Sequence, residues 1–329
     1  MVSTDLEIGV RCFINAKVLS TGSATIPAKK FGSIIRELPA KAEVEIKIDS
    51  KSHIDIKSGK SHFVLMGTSK EDYPALPNFS EEKAWSANSK LLTDMVKKTM
   101  FATSTEETRY ILNGICFVVD QKELKLVATD GRRLAFIIKE CLEGNAGIKR
   151  KVTAVVPTKT INELLKITGV EQSEEVKFNI TDNQVAFQVK DIVIISRLIE
   201  GNFPNYEQVI PRKNKVQVKV NTEELLAATR QMSLLTAEKG SGVKFSFNKK
   251  YLRLATSAQG IGMGEVDIDI DLNGENIDVA FNPGYVTDIL KNMEEKEVVF
   301  ELNGSLDAAV LKPSSSEQYL CVIMPMRLS

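Results

Sequence analysis

Two unlike motifs recur along this sequence at almost the same interval, and this internal repeat constrains the fold more than any other feature. The first motif is a polar corner that follows an apolar strand, and its copies begin at Thr4, Thr129 and Thr256. The second is an apolar strand followed by a proline at a helix start, and its copies contain Pro27, Pro157 and Pro283. Successive copies lie 125 to 130 residues apart, an interval too long for a solenoid and typical of whole domains. We therefore predict three similar domains.

The corner at residues 129–131 has the chemistry of a tight turn. Apolar residues alternate through residues 124–128, as in a half-buried strand. Asp130 can accept hydrogen bonds from nearby backbone, and Gly131 tolerates a positive φ. Two arginines then precede a second apolar strand at residues 134–138. Because a single hairpin of this kind is more often scaffold than site, the functional argument depends on its repetition.

Charge and residue usage exclude several function classes. The 329 residues include 43 Lys+Arg and 43 Asp+Glu, so a basic surface over the whole molecule is excluded, and any basic face requires acidic residues elsewhere. Only 2 histidines are present, and neither has a Cys or Asp at ligand spacing, which disfavours a zinc site or a histidine-based triad. We find no apolar run long enough to span a bilayer and no signal peptide, so we expect no membrane association.

The cysteines indicate the redox compartment. They are far apart in the sequence and form no CxxC pair, and they are Cys12, Cys116, Cys141 and Cys321. We expect reduced thiols in a cytoplasmic protein, with a disulfide among them left open as the less favoured alternative.

Motifs of catalysis are missing from the sequence, whereas basic helix faces are frequent. We find no GxGxxG, GxxxxGK[ST], HExxH or GxSxG, and acidic pairs such as Glu81-Glu82 are better interpreted as solvated charge. We therefore predict no catalytic residue, no metal and no cofactor. The predicted helices carry Lys or Arg opposite an apolar stripe. Repeated on equivalent helices, these residues would form one basic surface that contacts phosphates without reading bases.

Periodicity and turn residues predict the elements and the domain boundaries. Helices are predicted at residues 29–38, 89–100, 158–167, 222–232 and 283–293, with Asn221 and Asn282 as N-caps of the last two. Most other segments alternate as antiparallel strands, including a long one at residues 10–19. Proline-containing linkers at residues 72–78 and 200–206 give domains at residues 1–79, 84–206 and 214–329. Because the first copy begins at its corner, we expect the front part of domain one to be absent from this chain.

Three features of the sequence resemble those of a known protein family. The run LVATDGRRLA at residues 126–135, the threefold repeat and the final Met324-Pro325-Met326-Arg327-Leu328 are similar to the bacterial sliding clamps, the beta subunits of DNA polymerase III. The resemblance extends from residue 3 to the end of the chain. It implies an α+β protein of three similar domains with the DNA clamp fold, each with two helices packed on antiparallel sheets. Two such chains would close head to tail into a ring dimer.

The resemblance also implies a function. A sliding clamp encircles double-stranded DNA without sequence preference and is not a catalyst. It tethers the polymerase catalytic subunit and so confers processivity, because a tethered enzyme rebinds the primer end before it diffuses away. The clamp loader and other proteins with a clamp-binding motif are further expected partners. These clients insert a short linear peptide with apolar anchors and a glutamine into a pocket.

The resemblance implies that the residues of the family's client-peptide pocket correspond to matching positions of this sequence. Its first part is Leu112, Thr129, Gly131, Arg132, Arg133, Leu134, Pro211, Val322 and Met324. Its second part, a groove near the C-terminus, is Arg109, Asn282, Tyr285, Leu306, Ala308, Pro325, Met326 and Arg327. Apolar, methionine-rich pockets adapt to several ligands, which suits a site with many clients. Many family members have His where this chain has Arg132, a departure expected to tune client preference.

Two further sets of residues follow from the resemblance. The dimer interface would join Lys60, His62 and Phe63 of the first domain to Leu234 and Leu235 of the third. Contacts to DNA would involve Lys29, Lys30, Tyr110 and Lys159. Two other hypotheses stay open on the residues alone. One is a three-domain enzyme of replication or repair, and the other is an interaction scaffold that does not bind nucleic acid.

Overall fold

Contacts within the chain group it into two compact units, which are residues 1–79 with 191–195 and residues 80–190 with 196–329. The computed structural model describes residues 1–77, 79–144, 151–236, 242–258 and 260–327. The predicted linker at 72–78, the third corner and the final motif therefore each include a residue outside the described ranges, which are Asn78, Gln259 and Leu328.

The first unit contains a short hairpin, a helix and a three-stranded sheet. Strands β1 (Val2–Thr4) and β2 (Ile8–Cys12) pair antiparallel around the corner at Thr4. Helix α1 (Ala28–Glu37) begins directly after Pro27, which serves as its N-cap. The antiparallel sheet has the order β3 (Glu45–Ile48), β4 (His53–Ser58) and β5 (Ser61–Met66). Its buried centre is β4, where Ile54 and Ile56 are fully buried.

The second unit contains the second and third copies of the repeat, except for residues 191–195, which are grouped with the first unit. The central part of the chain forms β6 (Trp85–Asn88), α2 (Ser89–Met100), β7 (Gly114–Asp120), β8 (Glu123–Thr129), β9 (Arg133–Glu140), β10 (Glu143–Gly144), β11 (Val152–Pro157), α3 (Thr158–Glu171), β12 (Glu175–Ile180), β13 (Gln184–Val189) and β14 (Ile192–Arg197). The last part forms β15 (Val216–Asn221), α4 (Thr222–Ser233), β16 (Val243–Phe247), β17 (Tyr251–Ala258), β18 (Gly262–Asp269), β19 (Ile277–Phe281), α5 (Pro283–Leu290), β20 (Glu297–Leu302), β21 (Ala309–Pro313) and β22 (Tyr319–Ile323).

One sheet of eight strands runs through both copies in the second unit. Its order is β11-β7-β8-β9-β22-β21-β20-β15, and all of its pairs are antiparallel. The two copies join where β9 pairs with β22, with Leu134 opposite Val322. A four-stranded sheet of order β18-β17-β16-β19 belongs to the third copy, and β10, β6, β12 and β13 pair in that order in the second. The predicted α+β fold with antiparallel sheets is confirmed.

Each copy in the second unit has its own aromatic core between sheet and helices. Phe117, Phe178 and Phe187 contact one another in the second copy, with ring centroids 6.0 to 6.4 Å apart. Phe245, Phe247, Phe281 and Phe300 form the equivalent cluster in the third copy. The helices complete these cores with their apolar faces, since α2 buries Leu92, Met95, Val96 and Thr99.

All five predicted helices are present at the predicted positions. Most of the differences between predicted and observed bounds are at the C-terminal ends of the helices. Helix α2 has the predicted bounds, and α4 is longer than predicted by one residue. Helix α3 continues to Glu171 and is ended by Gln172 in a left-handed conformation, whereas α5 stops at Leu290. Asn221 and Asn282 are the N-caps as predicted, because their side-chain oxygens accept backbone N–H groups of the first turn.

Two sequence predictions are wrong. The strand predicted for residues 10–19 ends at Cys12, and the apolar side chains beyond it, such as Phe13 and Leu19, are more than 70% exposed. The third corner is also absent at Thr256, because β17 continues through it to Ala258 and Thr256 pairs with Gly264. Ser257 replaces the aspartate of the other corners, so the carboxylate that accepts two backbone N–H groups in those turns is missing.

Candidate functional site

The corner at Thr129 is closed by its own side chains. The Thr129 hydroxyl donates to the Arg133 carbonyl at 2.6 Å and accepts from the Gly131 N–H at 3.0 Å. One carboxylate oxygen of Asp130 accepts from the N–H groups of Arg132 and Arg133, at 2.8 and 2.9 Å. Gly131 has φ +85°, which glycine adopts without steric cost. This turn therefore presents a defined edge to solvent.

The first copy repeats the same hydrogen bonds with other residues. Thr4 donates to the Ile8 carbonyl at 2.8 Å and accepts from the Leu6 N–H at 3.0 Å. Asp5 accepts from the N–H groups of Glu7 and Ile8. Leu6 occupies the glycine position with φ +78°. The Thr-Asp pair thus determines this corner in both copies.

Arg133 connects the corner to helix α5 of the third copy. Its Nε lies 3.0 Å from Asp130 Oδ2, its Nη1 lies 2.7 Å from Asp288 Oδ2, and its Nη2 donates to the Phe101 carbonyl at 2.7 Å. The guanidinium also lies 4.6 Å from the centre of the Tyr285 ring. The side chain is 10% exposed. Its nitrogen atoms therefore already have hydrogen-bond partners within the chain, and the side chain lies beneath the exposed surface of the site.

The end of the chain lies against the corner. The Met324 N–H donates to the Arg132 carbonyl at 2.9 Å, and the Met326 N–H donates to the Ala280 carbonyl at 2.8 Å. Met324 is 42% exposed, and Pro325 and Met326 are half-buried. This segment therefore runs between the corner and β19.

An apolar cluster packs next to the corner, because it includes Leu134, which pairs with Thr129. Its buried members are Cys116, Val118, Val127, Leu134, Val310 and Val322. Partly buried residues packed against it are Phe136, Phe203, Tyr206, Ile210, Ala308 and Leu320. Leu134, Val322 and Ala308 were predicted for the pocket, whereas the three aromatic residues and Leu320 were not. Strand alternation could have identified Phe136 and Leu320, because each lies two positions from a predicted residue on the same strand.

Arg109, Arg132 and Tyr285 surround the corner. Arg109 Nη1 donates to the Asp130 carbonyl at 3.2 Å, and its Nε lies 3.5 Å from Glu106. Arg132 is exposed, and polar contact with the Tyr285 hydroxyl raises the pKa of its guanidinium. Tyr285 is half-buried in the first turn of α5, where the Asn282 cap accepts from its N–H at 3.4 Å. Both parts of the predicted pocket thus meet at this corner.

The remaining predicted pocket residues differ in exposure. Leu112 is buried, and its carbonyl accepts the Ser104 N–H at 2.9 Å. Pro211 is half-buried next to Ile210 of the cluster. Leu306 is 61% exposed and Arg327 is exposed.

The predicted DNA-contacting and dimer residues lie on the surface. Lys29 and Lys30 are exposed in the first turn of α1, Lys159 is exposed in the first turn of α3, and Tyr110 is 60% exposed. Lys60, His62 and Phe63 are exposed at the turn before β5 and on β5, and His62 Nε2 lies 2.7 Å from Asp55 Oδ2. Leu234 is 81% exposed directly after α4, whereas Leu235 is half-buried and faces Gly264 of β18.

Burial lowers the reactivity of three of the four thiols. All four cysteines lie within the described ranges and are unpaired. Burial raises the pKa of Cys116 and Cys321 to about 12 and that of Cys141 to about 11, so these thiols are protonated at neutral pH and poor nucleophiles. Among the described residues, no group of three or more His, Cys, Asp or Glu could hold a metal ion. No helix in the described part of the chain is long and apolar enough to cross a membrane.

Comparisons with known proteins match this architecture along its length. The sequence matches the N-terminal, central and C-terminal domains of the DNA polymerase III beta subunit, over residues 1–77, 86–205 and 207–327. A beta sliding clamp of Chlamydia muridarum is 34% identical over 330 residues, which cover 99% of this chain and 87% of the relative. One from Bacillus subtilis is 33% identical over 335 residues. The crystal structure of the Bacillus subtilis DNA polymerase sliding clamp matches with a TM-score of 0.92 and 31% identity, covering 100% of this chain and 88% of that one.

Three similar domains with helices on antiparallel sheets define a protein of the DNA clamp class. The chain belongs to the DNA polymerase III beta subunit family. Its function is that of a DNA sliding clamp, a non-catalytic processivity factor of replication. The predictions of fold, family and function are confirmed.

Proposed function

We propose that the surface around the Thr129 corner is the site at which client proteins bind this clamp through a short linear peptide. The proposed residues are Arg109, Leu112, Thr129, Gly131, Arg132, Arg133, Leu134, Pro211, Asn282, Tyr285, Leu306, Ala308, Val322, Met324, Pro325, Met326 and Arg327. The clients would be the polymerase catalytic subunit, the clamp loader and other proteins with a clamp-binding motif. To these residues we add Phe136, Phe203 and Tyr206 of the apolar cluster.

The observation that supports this site best is the junction of β9 with β22. Five residue pairs align Arg133–Ile137 with Tyr319–Ile323, and the hydrogen bond from Met324 to Arg132 continues the ladder to the corner. An apolar cluster, a polar corner and an exposed methionine therefore occupy one surface. A peptide with apolar anchors buries them in such a surface while its polar groups meet the rim.

We further propose that this clamp encircles double-stranded DNA as a homodimer in the cytoplasm. Lys29, Lys30, Tyr110 and Lys159 are the proposed DNA contacts, and their exposure agrees with sequence-independent binding to phosphates. The proposed dimer contact joins Lys60, His62 and Phe63 of one copy to Leu234 and Leu235 of another. The proposed domain boundaries are residues 1–79, 84–206 and 214–329.

Fluorescence anisotropy with a labelled peptide of apolar residues and one glutamine tests the peptide site. Met324→Lys places a charge on a side chain that is 42% exposed, so the fold should survive while peptide affinity falls about tenfold or more. The matched control is Val170→Lys, because Val170 is 78% exposed on α3 outside the proposed site. Equal affinity of the Met324→Lys variant and the control would contradict the proposed site.

Ring formation has its own test. Light scattering should give the mass of a dimer, and after loading the protein should stay on circular DNA but leave linear DNA. Loss from both substrates would favour a scaffold that does not encircle DNA. Turnover of nucleotide or DNA by the pure protein would favour an enzyme instead.

A further inference from the structure

A cavity lies between the linker at residues 200–206 and strands β7 and β11 at one edge of the eight-stranded sheet. The linker leaves that edge at Ile199, whose N–H donates to the Val155 carbonyl at 2.9 Å. The volume of the cavity is about 540 Å³, and sites for small molecules typically measure about 300–1,000 Å³. Among the described residues that line it, none was predicted for the peptide pocket, although Phe203 and Tyr206 also pack on the apolar cluster next to the corner.

The buried part of the lining is apolar and uncharged. The floor of the cavity includes Cys116 and Val118 of β7, which are buried. Phe203 and Tyr206 of the linker form its walls and are half-buried, and the centre of the Tyr206 ring lies 5.9 Å from that of Phe136. Burial raises the pKa of the Cys116 thiol and of the Tyr206 phenol to about 12, so both groups are neutral at physiological pH. The interior therefore favours an apolar body, and the two aromatic walls favour an aromatic one.

The exposed part of the lining, which forms the mouth of the cavity, is mainly acidic. In the described part of the chain it includes the carboxylates of Asp182, Glu200 and Glu207, against the ammonium of Lys151. None of these three carboxylates forms a salt bridge with a described residue. A ligand that enters the cavity therefore passes carboxylates whose charge no ion-pair partner neutralises. Such a mouth attracts cations and repels anions, and salt screens this effect because the groups are exposed.

We propose that this cavity is a binding site for a small organic cation that consists of an aromatic body and a protonated amine. The aromatic body packs against Phe203 and Tyr206, and the ammonium stays at the mouth near the carboxylates. The aromatic walls add to the attraction, because a ring face attracts a cation within about 6 Å of its centre. Each exposed carboxylate contributes only a modest free energy, so the charge determines selectivity and the apolar body provides most of the affinity.

Three probes that share one phenyl ring test this proposal, and they are 2-phenylethylamine, 2-phenylethanol and 3-phenylpropanoate. Titrations of the full chain, followed by saturation-transfer NMR, give the affinity of each probe. At low salt the amine should bind about three- to fivefold more tightly than the alcohol, and the carboxylate should bind most weakly. The ratio of amine to alcohol affinity should fall towards one as salt is added. Equal affinities of amine and alcohol at low salt, or no binding of the amine, would overturn the proposal.

Two charge variants test whether the carboxylates at the mouth cause the selectivity. Asp182→Asn combined with Glu207→Gln should bring the ratio of amine to alcohol affinity close to one, because Lys151 then balances the remaining carboxylate. The matched control combines Glu140→Gln with Glu223→Gln, which removes the same net charge at exposed positions outside the described lining. The control should keep the wild-type ratio.

Two further variants test whether the probes bind in this cavity. Phe203→Ala should weaken the amine and the alcohol alike by about threefold or more, because it removes an aromatic wall. Lys151→Gln should raise the ratio of amine to alcohol affinity, because it removes the competing cation. The fluorescence of Trp85, which is 3% exposed, checks that each variant is folded. Unchanged affinities in folded Phe203→Ala, or an unchanged ratio in the variant of Asp182 and Glu207, would show that the probes bind elsewhere and refute the site.

Discussion

Replacing Arg133 with alanine should destabilise the second unit, because this residue joins two copies of the repeat from the inside. Breaking a buried ion pair by removing one partner costs about 3–5 kcal/mol. Asp130 is 15% exposed and would keep its two backbone N–H donors, whereas Asp288 is 40% exposed and can rehydrate. The Phe101 carbonyl also loses its donor. Weighing these terms, we expect the free energy of unfolding to fall by about 2–4 kcal/mol.

Urea unfolding can measure this change through the only tryptophan of the chain. Trp85 is 3% exposed in the core of the second copy, so its fluorescence reports the loss of that core. Arg212→Ala is the control, since an exposed residue away from such features should change stability by no more than about 0.5 kcal/mol. Peptide affinity should fall in the Arg133→Ala variant because the corner is displaced. Lost affinity with unchanged stability would refute this reasoning and indicate direct contact between Arg133 and the client.

Two further predictions follow from the corner and from the buried thiols. Gly131→Ala should lower the free energy of unfolding by about 1–2 kcal/mol, because φ is +85° and the new Cβ would lie 2.8 Å from Arg109 Nη1. The control, Gly169→Ala in α3, should be neutral or stabilising by up to about 1 kcal/mol. Thermal melts of both variants measure the difference. Burial raises the pKa of Cys116 and Cys321 from 9.0 to about 12, so the unfolded chain loses these protons first. The stability that the neutral thiols provide is present below pH 9 and is lost as pH rises towards about 12, and Cys116→Val should make this loss shallower in urea titrations at pH 8 to 11.

Local sequence signals were sufficient for the parts of the fold that local interactions determine. Helix α2 was predicted to the residue, since its apolar residues recur at helical spacing, and the structure shows that Asn88 caps it. The corner at Thr129 was predictable for the same reason, because all the hydrogen bonds that close it lie within five consecutive residues.

Features that depend on distant residues were not predictable in this way. The strand predicted for residues 10–19 has the right composition but stops at Cys12, and alternation alone cannot say whether a partner strand exists. The prediction of a third corner was wrong because it relied on the repeat spacing, whereas the turn also requires an aspartate that accepts backbone hydrogen bonds. Arg133 was predicted for the pocket from the resemblance alone, and its ion pair with Asp288 could not be predicted, since Asp288 lies 155 residues further along the chain.

The eight-stranded sheet also limits how this clamp can move. A hinge motion that separates the second and third copies would require the hydrogen bonds between β9 and β22 to break together, because the two copies share one continuous sheet at that point. The proposed client surface is built across this same seam, and therefore its two halves keep a constant separation. A client that binds there is attached to a rigid part of the clamp. A force that the client exerts on the clamp is therefore transmitted to the sheet and is not absorbed by a hinge.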